Sequence, residues 1–245
     1  TGSSGNDVVT ATTTYAKVDL GLGDDTFRWD GISGFTLVDA GNGSGTDTSY
    51  TDTLVLTAAT SVDFTKGSGT VFKNFEALTG SSFADVVVAT TQFKSIDLGL
   101  GNDSLTWNGE TKFTSVSGGG GTDTLIIGKG GTVDLVSGYA SNFSNFESLM
   151  GSSAADYVKA TSSFTTVDLA GGNDSFTWSG TTSFSSISGG SGTDTLIMAN
   201  AGALNLTSGY GTNFSGFEAL TGSSGNDVVT ATTTYAKVDL GLGDD

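Results

Sequence analysis

The sequence predicts an all-β chain wound as a right-handed parallel β-solenoid with coils of about 18 residues. Three observations point there: the chain repeats itself, short apolar runs alternate with Gly/Asp turns, and those turns recur at one coil's spacing. The repeat comes first, because it can settle an architecture. Residues 1–25, TGSSGNDVVTATTTYAKVDLGLGDD, return without change at 221–245. Between the two copies, related units begin at Thr79 and Met150. The units therefore run 1–78, 79–149, 150–220 and 221–245, the last a partial copy of the first, within one continuous solenoid over 1–245. The longer first unit carries its extra residues around Ser49-Tyr50-Thr51-Asp52, where an insertion in a turn costs little.

Each unit has the same internal order. A GSSxxD turn leads to a strand such as Val86-Val87-Val88, followed by a (V/I)DL strand, for example Ile96-Asp97-Leu98. A second turn (GLGND, AGGND) opens SLTW or SFTW, and a third (GGGGTD, GGSGTD) opens TLII or TLIM. The phrase FEAL or FESL closes the unit. Short strands between Gly/Asn/Asp/Ser clusters read as β structure, and no helical periodicity competes with them. Asp85, Asp103 and Asp123 recur at near-equal intervals, as do Asp156, Asp174 and Asp194. Two strands and two turns fill one such interval, so each coil returns the next acidic turn to the same edge. Four such coils would fill a unit such as 79–149, and one edge would carry the acidic line. Alternation within a strand sends Leu105 and Trp107, or Phe176 and Trp178, one way and Thr106 or Thr177 the other. Trp29, Trp107 and Trp178 are expected to fill the core.

Composition narrows the function classes. The 245 residues include 38 Gly and no Pro, Cys or His, and the net charge is −17. Such a surface argues against nucleic acid as a partner, and no apolar run approaches the length of a membrane-inserting helix. Catalysis usually draws on His, Cys or paired carboxylates gathered in one cleft. Here Glu76, Glu147 and Glu218 are one repeat position, Glu110 sits alone in a turn, and the basic residues are scattered. The expectation is a protein that is not an enzyme. The block restarting at residue 221 suggests a piece of a longer array, or one that self-associates end to end or side by side.

The segments Gly118–Ile126 (GGGGTDTLI) and Gly189–Ile197 (GGSGTDTLI) match the pattern G-G-x-G-x-D-x-U-x. Weaker copies start at Leu20, Leu98 and Leu169, and NFEALTG at 74–80 is similar to the phrases that precede such repeats. The chain thus resembles the repeats-in-toxin family, the haemolysin-type calcium-binding β-rolls. The resemblance covers the chain in rhythm and two segments in full. It implies Ca2+ held between stacked turns by Asp103, Asp123, Asp174 and Asp194, with Asp25 and Asp47 as weaker matches. Gly99, Gly101, Gly119, Gly121, Gly190 and Gly192 would turn the backbone so that carbonyl oxygens face the ion. The same aspartates can instead cap backbone N–H groups with no metal, as Asx turns do. The resemblance also implies an extracellular or bacterial cell-surface location. The functional expectation is a structural or adhesive repeat protein of a surface layer, sheath, matrix fibre or giant adhesin, with cell-surface polysaccharide as a candidate partner. The alternative is a solenoid module that binds ice or glycan, suggested by the stretch Thr10-Ala11-Thr12-Thr13-Thr14.

Overall fold

A computed structural model describes the chain except for residues 12, 42–49, 90–91, 109–111, 137–141, 161–163, 180–183, 209–211 and 232–234. The fold is all-β: parallel strands stack coil upon coil into a β-solenoid, and helix among the described residues is limited to short 3-10 turns such as Gly67–Val71. Backbone contacts divide the chain into two compact units. The first comprises Thr1–Thr124 with Asn142–Asn145, and the second Leu125–Ser141 with Phe146–Asp245.

In the first unit one parallel sheet runs through Val8–Thr10, Thr26–Trp29, Thr53–Leu56, Ala77–Thr79, Ser95–Asp97, Ser115–Ser117 and Phe143–Ser144. A second sheet starts with Ser61–Asp63, which pairs with Val86–Val88, which in turn pairs with Ser104–Trp107. A third holds Tyr15–Asp19, Phe35–Asp39 and Phe72–Lys73. In the second unit the main sheet orders Gly131–Asp134, Asp156–Lys159, Ser175–Trp178, Thr195–Met198, Ala219–Thr221 and Lys237–Asp239.

Coils average about 20 residues, and their length varies. From one rung to the next, Asp156 to Asp174 is a step of 18, Asp174 to Asp194 of 20, and Asp194 to Glu218 of 24. The widest described coil joins Val38 to Phe72, across the insertion of the first unit, followed by three equal ones that join Thr26 to Thr53, Val116 to Phe143 and Ile187 to Phe214. Among the described residues the short coil of 18 is seen where a GSSxxD turn is followed by a GLGDD, GLGND or AGGND turn. Longer coils carry the variable Gly/Ser segment and an additional short strand. A repeat consequently does not contain four whole coils. After three coils the next GSSxxD strand, Val228–Thr230, falls on a different sheet, where it pairs with Ala203–Asn205. In the same way Val86–Val88 is seated beside Ser61–Asp63 and Asp156–Lys159 beside Gly131–Asp134.

The core follows the two-residue alternation of the strands. Leu105, Trp107, Phe176 and Trp178 are at most 2 % exposed, while Thr106 and Thr177 are half-exposed. The indoles fill the bore as expected: Trp29 packs on Phe72 at 5.0 Å and donates its Nε1–H to the Ser33 carbonyl at 2.9 Å. A thin core of this kind concentrates apolar area in its aromatic side chains. Trp107→Ala is expected to cost about 3–5 kcal/mol, read as a lower urea midpoint. Thr106→Ala on the outer face should stay within about 0.5 kcal/mol.

Candidate functional site

The acidic turns meet. Asp residues that open strands donate their backbone N–H to a carboxylate oxygen on the following coil. In the first unit the Asp7 N–H reaches Asp25 Oδ1 at 2.8 Å, Asp25 reaches Asp52 Oδ1 at 2.7 Å, and Asp52 reaches Glu76 Oε2 at 3.1 Å. A second row starts at the Thr60 N–H, bound to Asp85 Oδ1 at 2.8 Å. It continues through Asp103 and Asp123, each step 2.7 Å. In the second unit Asp156, Asp174, Asp194 and Glu218 form a third row, with links of 2.8, 2.8 and 2.9 Å. A fourth row joins Gly202, Asp227 and Asp245. Asp103 and Asp123 are thus neighbours on successive rungs.

The rows lie at the starts of different sheets and do not follow one edge. This corrects the single acidic line drawn from a whole number of coils per repeat. Each row includes a GSSxxD turn, whose second carboxylate oxygen accepts the N–H of the serine four positions before it. Ser81 to Asp85 and Ser152 to Asp156 both measure 2.7 Å. A parallel row of Asn side chains steadies the same turns: Asn102 Oδ1 accepts the Thr122 N–H and Asn173 Oδ1 the Thr193 N–H, both at 2.9 Å.

Glycine makes this stacking possible. Gly99, Gly101, Gly119, Gly121, Gly190 and Gly192 all have φ between +90° and +143°, where a Cβ is strained. A Cβ added to Gly121 would collide with the Gly101 carbonyl directly beneath it. The stacked turns bond to one another: the Gly120 N–H reaches the Gly99 carbonyl at 2.8 Å and the Gly101 N–H the Gly120 carbonyl at 2.9 Å.

Charge is the unusual feature of the rows. Asp25, Asp52, Asp103, Asp174 and Asp194 are no more than 1 % exposed, yet each keeps one Oδ2 without a hydrogen-bond partner. Burial raises the pKa of all five, and neighbouring carboxylates add to the rise. Asp52 and Asp103 are pushed from the ordinary 3.8 up to about 6. An unpaired oxygen on a buried carboxylate is a standing cost that a proton or a cation would relieve.

These donors suit calcium in kind, being hard and anionic. In number a rung at Asp25, Asp52, Asp103, Asp174 or Asp194 supplies one uncommitted carboxylate oxygen, and a GSSxxD rung such as Asp85 supplies none, whereas calcium takes six to eight ligands. Among the described residues no three acidic side chains converge on a point. Were calcium bound, the residues to hold it would be Asp103 and Asp123, Asp174 and Asp194, and Asp25 with Asp52, completed by turn carbonyls.

Asp47, one of the expected ligands, lies outside the described residues. In the first unit the rung between Asp25 and Glu76 is filled by Asp52. A signal for it was present: Thr51-Asp52-Thr53-Leu54 matches Thr122-Asp123-Thr124-Leu125 better than the residues around Asp47 do. Glu76 and Glu218, which end their rows, carried no comparable signal. No protein-family model, curated protein or solved structure matches the chain.

Two outcomes are expected. Asp103→Ala removes the acceptor of the buried Asp85 N–H and should cost about 1–3 kcal/mol. Asp103→Asn keeps that acceptor and removes the charge, so in chelator at pH 8 it should melt at or above the parent chain. The second concerns pH. The folded pKa values of Asp52 and Asp103, about 6, exceed the ordinary 3.8, so the folded state binds protons more tightly than the unfolded state. Their contribution is full below about pH 4 and lost as pH rises through 6. In chelator, the melting temperature should climb between pH 7 and pH 5, and the advantage of Asp103→Asn should shrink over the same interval.

Proposed function

We propose that this chain is a structural or adhesive repeat protein of an extracellular or bacterial cell surface, whose solenoid serves as a spacer or scaffold and not as a catalyst. The observation that carries this reading is that the acidic turns are consumed in holding coil to coil. The strand-opening carboxylates accept backbone N–H groups from the preceding rung. Side chains so employed, and repeated in every unit, are assembly parts. A catalytic group is set at a unique place in a cleft, whereas these recur row after row. The absence of His and Cys from the whole sequence supports the same view.

Calcium is the second part of the proposal, and it rests on the resemblance of Gly118–Ile126 and Gly189–Ile197 to the haemolysin-type nonapeptide. The partnerless Oδ2 atoms of Asp103, Asp174 and Asp194 support it, because a bound cation would offset both their desolvation and their mutual repulsion. A ligand that binds only the folded state raises its stability by mass action.

Melting curves in millimolar calcium should lie above those in excess chelator at pH 7.5, and identical curves would remove the metal from the proposal while leaving the scaffold. A thermal-hysteresis assay and a glycan array should both be negative. A clear signal in either would replace the scaffold reading with that of a binding module.

A further inference from the structure

The pattern N-x-[ST], which marks an asparagine able to accept a sugar, occurs six times, at Asn42, Asn102, Asn142, Asn173, Asn205 and Asn213. Asn42 lies outside the described residues. What holds each asparagine sorts the other five. Asn142 donates its Nδ2–H to the Phe113 carbonyl at 2.8 Å, and Asn213 donates to the Phe184 carbonyl at 2.6 Å. The residues after them, Phe143 and Phe214, pack on Trp107 and Trp178 at 5.0 and 5.6 Å, so neither tripeptide leaves its seat without opening the core. Asn102 and Asn173 each accept an N–H from the next coil, and each precedes a buried Asp of a row. Lifting either tripeptide takes a rung with it.

Asn205 is held differently. It ends the strand Ala203–Asn205, which pairs with Val228–Thr230 and, among the described residues, with no other strand. Gly202, Ala203, Asn205, Thr207 and Ser208 are exposed, while Leu204 and Leu206 are buried. Asn205 Oδ1 accepts the Thr207 N–H at 2.9 Å and the Thr207 hydroxyl at 2.7 Å. Its Nδ2 has no hydrogen-bond partner among the described residues. A strand held on one side opens more readily than one inside a sheet, and here the opening disturbs no carboxylate row.

The same place in the other two units shows what Asn205 replaces. Asp63 Oδ1 accepts the Thr65 N–H at 2.8 Å and Asp134 Oδ1 the Val136 N–H at 2.9 Å, so the turn needs one acceptor oxygen and no amide. The strands that end in these residues, Ser61–Asp63 and Gly131–Asp134, also stand last in their sheets. Both carry charge there: Asp63 lies 3.2 Å from the Lys66 Nζ, and Asp134 lies 3.9 Å from the Lys159 Nζ. Charge on an edge strand discourages a foreign strand from pairing with it. The third unit lacks this guard, since no charged residue occurs from Thr195 to Phe217.

We propose that Asn205 is an N-glycosylation site and that its sugar shields this neutral edge strand. The donor is a sugar esterified at C1 to the phosphate of a lipid or nucleotide pyrophosphate, and a separate transferase brings it. The Nδ2–C1 bond forms as the bond from C1 to the phosphate oxygen breaks. The pyrophosphate leaves with the electron pair, and one amide proton passes to a base of the transferase. Thr207 supplies the hydroxyl that the pattern requires. A sugar is bulky and hydrated, so at the end of the strand it blocks the approach that Asp63 and Asp134 resist by charge. The site deepens the surface-protein reading and rests on it.

Peptide mapping tests the site on chain recovered from its native source after the cell exterior has been tagged with an impermeant reagent. The chain should carry the tag and a sugar on Asn205, with Asn142 and Asn213 bare. A preassembled oligosaccharide identifies the lipid-linked donor, and a lone hexose the nucleotide-linked one. Asn205→Asp copies the Asp63 turn, and Val136 already fills the Thr207 place in the second unit, so Asn205→Asp and Thr207→Ala both keep the fold. Each should lose the sugar completely. Asn205→Gln is neutral and bare; on annealing it should associate in sedimentation velocity, while Asn205→Asp stays at the mass of one chain. Equal association of the two would overturn the shielding role. Tagged chain with a bare Asn205 would overturn the site and leave the scaffold reading in place, whereas untagged chain would remove the surface location on which both rest.

Discussion

The hydrogen bond from a strand-opening Asp N–H to the carboxylate of the next coil is the contact on which the arrangement depends. A parallel ladder needs every coil to begin its strand at the same height. The carboxylate enforces this by accepting the one N–H at the turn that strand pairing leaves over. Asp103 illustrates the economy: its N–H reaches Asp123, its Oδ1 receives Asp85, and its carbonyl accepts the Thr124 N–H at 2.8 Å. Replacing its side chain takes away the acceptor of the Asp85 N–H while its own N–H still reaches Asp123. Glycine is the condition for it, because only a residue without a Cβ lets turns stack at backbone contact distance, as at Gly101 and Gly121. Sheet pairing, core packing and charge burial all follow from that stacking.

The same contact explains why so acidic a chain holds together. Carboxylates placed one above another repel, and burial strengthens the repulsion. What offsets it is the fixed N–H dipole aimed at one oxygen of each group. The balance is incomplete, since the second oxygen of Asp25, Asp52, Asp103, Asp174 and Asp194 has no partner. The outer aspartates show the contrasting case. Asp97 and Asp168 sit exposed at strand ends, where water solvates them, and they accept the N–H two positions ahead at 3.2 and 3.0 Å. One residue type therefore does two jobs, distinguished only by whether the next coil covers it.

Much of this was legible in the residues. The alternation in SLTW and SFTW placed Leu105, Trp107, Phe176 and Trp178 inside, because period-two burial is a local property of a strand. The near-equal spacing of the acidic turns put Asp103 beside Asp123 for the same local reason. What escaped was set by longer-range geometry. Coil length depends on how much of the variable Gly/Ser segment bulges and how much pairs, and spacing alone is silent on that. The GSSxxD turns depart from the nonapeptide pattern, yet Asp85 and Asp156 are the first carboxylates of their rows, and their second oxygens hold the serine N–H groups. Asp52 was hidden by an insertion that offered a second Thr-Asp-Thr phrase at Asp47.

The remainder left after three coils bears on how this surface would be read by anything large. In the second unit the GSSxxD strands Asp156–Lys159 and Val228–Thr230 are the same phrase, one repeat apart, yet they belong to separate sheets. A flat antibody or receptor that grips the first finds the second turned onto another wall. Avidity between adjacent copies is therefore curtailed, and a chain that looks monotonous as text presents a varied face to multivalent recognition.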